Sequence, residues 1–106
     1  MMTGKSRKQQ IEEMLSDDPN DAFLRYGLAM EYVGAGQDEE AARCFRHLLE
    51  ANPDYVPGYM QAGRTLARLD RVDEARTVFQ AGIAMAREKG DLHAAEEMAG
   101  FLEGLN

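Results

Sequence analysis

Self-similarity at a fixed spacing constrains this chain more than any other feature. Laid over itself with an offset of 34 residues, the sequence puts Ala41 on Ala75, Phe45 on Phe79 and the pair Glu39-Glu40 on Asp73-Glu74. The same step backwards puts Pro53 on Pro19, Phe45 on Ile11, Leu48 on Met14 and Leu49 on Leu15. A period of about 20 to 50 residues is the mark of a stacked array, in which each unit covers its apolar side only against its neighbours.

Each unit reads as two helices. In the first, Phe23, Leu24, Leu28, Ala29, Tyr32 and Val33 recur at helical spacing, with Asn20 or Asp21 as N-cap and Gly34 and Gly36 as breakers. Its partner runs from about Asp38 to Ala51, carries Ala41, Cys44, Phe45, Leu48 and Leu49 on one face, and stops at Asn52-Pro53. The second unit repeats the plan. Its first helix, about Asp54 to Leu69, turns Tyr59, Ala62, Gly63, Leu66 and Leu69 inward and tolerates Pro57 in its first turn. Its second, about Val72 to Lys89, carries Ala75, Val78, Phe79, Gly82, Ile83 and Met85, with Asp73 and Glu74 at the positive end of the helix dipole. No stretch alternates as a strand would, so the chain is expected to be all-α.

These residues resemble the tetratricopeptide repeat family, whose unit places W-x2-L-G-x2-Y, then Ala, Phe and a closing Pro within 34 residues. Leu28, Ala29, Tyr32, Gly36, Ala41, Phe45, Leu48 and Pro53 fill the slots once, with Arg25 where the Trp would stand. Tyr59, Ala62, Gly63, Leu66, Ala75, Phe79 and Gly82 fill them again, with Arg87 in place of the Pro. The resemblance covers about residues 6 to 105 and implies a right-handed α-solenoid of antiparallel helix pairs, about two full units between two capping helices, six helices in all. The expected division is a capping helix over 6–17, repeats over 20–53 and 54–89, and a C-terminal cap over 91–105. In the first cap Ile11, Met14 and Leu15 are in phase. In the last, a two-residue slip puts Ala95, Met98, Ala99 and Leu102 in the slots of Tyr59, Ala62, Gly63 and Leu66. Gly63 and Gly82 each cost roughly 1 kcal/mol against Ala inside a helix, which close helix packing would explain.

Composition narrows the function. With 12 Lys and Arg against 19 Asp and Glu, the formal net charge of -7 repels phosphate and anionic lipid, so neither nucleic acid nor a membrane surface is an expected partner. A single cysteine makes no internal disulfide and fits a cytoplasmic setting. No run of about 18 apolar residues is present to span a bilayer, and the opening MMTGKSRKQQ lacks the apolar segment of a signal peptide.

Chemistry-bearing residues are few. Cys44 and His47 stand three apart on one helix, but Cys44 falls on the buried side beside Phe45 and no second pair completes a metal site, so a small core thiol beside a surface histidine is the preferred reading. His93 near Glu96 and Glu97 reads as a solvated cap. A small enzyme or metal site built on Cys44 and His47, or on His93, is the remote alternative; no cofactor, metal or catalytic set is expected.

The resemblance implies instead a non-enzymatic adaptor or scaffold that binds a peptide or protein segment on the concave face lined by the first helices. Those slots hold Phe23, Tyr26, Met30 and Val33, then Met60, Arg64, Ala67 and Arg68. His93, Glu96, Gly100 and Glu103 follow from the cap. Tyr and Arg dominate interface energies and Met adapts to irregular partners, so a ligand with one or two apolar anchors and a carboxylate opposite Arg64 and Arg68 would match. The competing reading is packing: Phe23 stapled to the N-terminal cap, and Arg64 and Arg68 paired with Glu31 or Glu103. The Lys and Asn set with which some members clamp C-terminal carboxylates is not reproduced, since Tyr26, Met30, Met60 and Arg64 hold the matching slots. A self-associating homodimer module is the other expected class.

Overall fold

A computed structural model describes residues 4–105 and contains, among them, six helices and no strand. They are α1 (Arg7–Asp17), α2 (Ala22–Gly34), α3 (Asp38–Ala51), α4 (Val56–Arg68), α5 (Val72–Glu88) and α6 (Leu92–Glu103). Each packs against the next in sequence, and α4 also reaches α6, so the array grows by neighbour contacts into a body 51 × 28 × 20 Å.

Local chemistry sets the helix ends. Ser6 and Gln9 form a reciprocal capping box at α1. The Asp21 carboxylate accepts from the Leu24 N–H at 2.8 Å, and the Asp91 carboxylate from Ala94 at 3.1 Å. Pro57 sits in the first turn of α4, where no intrahelical N–H is needed. α5 runs past Arg87, which stands where the repeat pattern has Pro, and ends at Glu88 with Lys89 as its C-cap.

The turns repeat as well. After α2 the Gln37 N–H donates to Tyr32 O at 2.9 Å, and after α4 the Arg71 N–H donates to Leu66 O at 2.9 Å, closing the helix with a left-handed residue in between. That residue is Gly36 (φ 74°) in the first turn and Asp70 (φ 61°) at the same place in the second. A side chain is disfavoured at positive φ. Asp70→Gly is therefore expected to stabilise the fold by up to about 1 kcal/mol, read as a rise of ~4–8 °C in the midpoint of a thermal melt.

Two apolar clusters run through the array. Phe45 centres the first, with Ala29, Ala41, Leu48 and Ala62. Phe79 centres the second, with Leu66, Ala75, Ile83, Ala95 and Met98 among its members. Phe45 and Phe79 are 0% and 1% exposed. Gly63 and Gly82 each make room for a neighbour's side chain. At Gly63 a methyl would stand 2.6 Å from Phe79 Cζ; at Gly82 it would stand 2.5 Å from Tyr59 Cβ and 2.6 Å from Met98 Sδ. The approach is thus of helix to side chain, and Met98 on Gly82 seats α6 against α5.

Three expectations need correction. Met14 is in phase with Ile11 and Leu15, but they are buried while it is 49% exposed, because α1 packs chiefly against α2. Phe23 is no staple, standing 69% exposed. Cys44 is half-buried rather than enclosed.

Candidate interaction surfaces

The side chains expected on the first-helix face are brought together unequally. Tyr26 of α2 packs edge-on against Phe45 at 6.3 Å and tilts over Tyr55, just ahead of α4, at 5.5 Å. Met30 and Val33 rest half-buried on the Phe45 cluster, and Met60 and Ala67 on the Phe79 cluster. Phe23 and Arg64 are the members that reach into solvent with most of their chemistry open. The Arg64 guanidinium lies 4.9 Å above the Phe101 ring, and that ring stacks on Phe79 at 5.8 Å. This three-layer arrangement joins α4, α6 and α5, and leaves the guanidinium edge able to meet a carboxylate.

Arg68 is committed elsewhere. It binds Asp38 through two hydrogen bonds of 3.1 Å each and also donates to the Thr65 hydroxyl at 3.1 Å. Thr65, fully buried, donates its own hydroxyl hydrogen bond to Gln61 O at 2.8 Å. Glu31 pairs with Arg7. Among the described residues neither of the anticipated partners, Glu31 or Glu103, holds an arginine of this face, and Arg64 is the one arginine of the expected set without a carboxylate partner. Tyr55 and Phe101 join the face without having been expected there, since neither falls in a repeat slot that points to it.

Burial raises the Tyr26 hydroxyl above its ordinary pKa of 10.0; the Tyr55 phenol adds to this and Arg64 opposes it. Tyr55 and Tyr59 are raised for the same first reason, reinforced by Asp21 and by Asp54 respectively. A phenol raised in the folded state contributes stability that is complete below pH 10.0 and lost as pH climbs through the folded value. Thermal midpoints followed by circular dichroism should hold steady up to about pH 9 and fall above pH 10. Tyr26→Phe should soften that fall, and an unchanged slope would count against burial of the hydroxyl.

The histidines and the cysteine lie apart. Arg25 Nη1 is 3.1 Å from His47 Nδ1, and His93 Nε2 is 3.3 Å from Glu97 on the exposed side of α6. Burial, with Glu40 adding to it, pushes the Cys44 thiol up despite Arg25, Arg43 and Lys8, which favours the protonated, weakly nucleophilic form. Among the described residues no group of three or more His, Cys, Asp or Glu could hold a metal ion, and no helix is long and apolar enough to cross a membrane.

A hollow of about 540 Å³ opens between α3 and α5, with Tyr59, Ala62 and Leu66 of α4 also lining it. Phe45, Leu49, Ala62, Leu66, Val78 and Ala81 form its apolar surface, with Arg46, Glu50, Asp73 and Glu74 at its edge. None of the eight first-helix residues lines it. Its origin is tertiary: α4 wedges between the two second helices and holds them apart.

Comparison with known proteins places these features. A family model for the tetratricopeptide repeat matches residues 24–55. A TPR repeat-containing protein of Pseudomonas aeruginosa is 33% identical over 96 residues, 91% of this chain and 91% of that one. The solution structure of a tetratricopeptide repeat domain protein from Salinibacter ruber superposes with a TM-score of 0.76 at 36% identity, covering 81% of this chain and 87% of that chain. PcrH, solved with the chaperone binding region of PopD, has the same fold, with a TM-score of 0.85 at 18% identity over 92% of this chain and 74% of its own.

Proposed function

Because this chain belongs to the tetratricopeptide repeat family, whose members generally mediate protein–protein interactions, we propose that it is an adaptor that holds a peptide or protein segment on the face formed by its first helices. The observation that carries the reading is the composition of that face: an open Phe23, half-buried Tyr26, Met30 and Met60, and one arginine, Arg64, propped on an aromatic ring rather than tied to a carboxylate. Such a strip offers apolar contact along its length and one cation for a ligand carboxylate. PcrH, with the PopD region bound, is a chain of this fold in the role of segment binder.

Tyr26 is a poor choice for testing this, since its ring supports Phe45 and Tyr55. Phe23→Ala combined with Arg64→Glu removes an anchor and reverses the charge at exposed positions. The double variant should keep its helical circular dichroism and retain at least tenfold less of the natural partner in affinity capture from cell extract; undiminished capture would refute the assignment. Exposed Phe23 and Leu92 favour self-association as the competing reading. A mass by light scattering that stays monomeric as concentration rises removes it.

A further inference from the structure

The hollow between α3 and α5 is not part of the first-helix face, and its chemistry is different. Leu49 and Val78 stand half-buried as its walls, Phe45 and Leu66 lie beneath, and the small side chains of Ala42, Ala62 and Ala81 leave the space between them unfilled. Its volume of about 540 Å³ is that of a pocket able to take several ligand side chains. Three carboxylates, of Glu50, Asp73 and Glu74, and one guanidinium, of Arg46, surround it. Asp73 is engaged by Arg76 and Glu74 by Arg71, whereas Glu50 takes part in no ion pair among the described residues. The whole chain adds a net charge of -7, which draws cationic segments from a distance.

A second copy of this chain fits badly. It brings the same negative field, and its basic N-terminal stretch is already occupied, with Lys5 on Glu13, Arg7 on Glu31 and Lys8 over the Tyr32 ring. We propose that the hollow is a second docking surface, which takes a basic amphipathic segment of another protein. Its large aliphatic or aromatic side chains enter between α3 and α5, and a Lys or Arg beside them meets Glu50. The two faces are then independent, so that one molecule joins two partners of unlike charge.

The probe is a labelled synthetic peptide of about 14 residues with Leu at i, i+3, i+4 and i+7 and Lys elsewhere, read by fluorescence anisotropy against the intact chain. Saturable binding is expected, at least tenfold tighter than for a scrambled peptide of identical composition and absent for the twin with Glu in place of Lys. Ala81→Phe, at an exposed position of α5, fills the hollow without changing charge and should weaken binding at least tenfold. Glu50→Lys, exposed on the rim of α3, should do the same. Arg64→Glu, on the other face, should leave the affinity within about twofold. Circular dichroism on each variant separates loss of binding from loss of fold. Equal binding of the scrambled peptide, indifference to both Ala81→Phe and Glu50→Lys, or loss of binding on Arg64→Glu overturns the proposal.

Discussion

Phe79→Ala is expected to destabilise the fold by about 3 to 5 kcal/mol, a large part of the ~5 to 15 kcal/mol that holds a domain of this size. The ring is 1% exposed, fits over Gly63, and carries Phe101 stacked on its face, on which Arg64 rests in turn. Removing it opens a cavity and takes away the seat of α6, so both the transfer and the cavity contributions act together. Urea unfolding followed at 222 nm should show the midpoint fall steeply or the transition vanish. Phe45→Ala should cost a similar amount through the other cluster, and a loss below about 1 kcal/mol for either would mean that the seams are not packed as described.

Gly63→Ala is expected to cost about 1 to 3 kcal/mol, although Ala is the better helix former by roughly 1 kcal/mol. The added methyl would lie 2.6 Å from Phe79 Cζ and closer still to Cε1, and the enclosed ring has nowhere to retreat. Steric exclusion therefore wins over propensity. The diagnostic is non-additivity: Phe79→Leu shortens the side chain at that point, so Gly63→Ala should cost less in its presence than alone. Equal costs in both backgrounds would show that the clash is absorbed elsewhere.

Gly63 and Gly82 show how far one repeat predicts the next. The slot of Gly63 holds Ala29 in the first unit, and that of Gly82 holds Leu48, both 0% exposed. Period and polarity carry over between units, while side-chain volume does not, because each seam has different neighbours to fit. Met14 fails for a related reason. It copies the position of Leu48, fully buried against following helices, but α1 sits at the end of the array and presents that side to water.

The two candidate faces were legible to different depths. Phe23, Tyr26, Met30 and Met60 came from the slots that the resemblance to the repeat family assigns to the first helices. The partners of the arginines could not be read there, since Asp38 reaches Arg68 across 30 residues and Phe101 comes under Arg64 from the C-terminal helix. Nor could the hollow, which exists only where α3 and α5 are held apart.

By itself the sequence determined the helices, their pairing and the buried Phe45 and Phe79, because a 34-residue period and a 3.6-residue period are properties of the chain alone. Tertiary structure decided which of the marked side chains remain free, which cation stays available, and that an apolar hollow opens between α3 and α5, lined by none of the residues expected on the first-helix face. Those depend on distances between elements far apart in sequence, and such distances are fixed only when the side chains between them have packed.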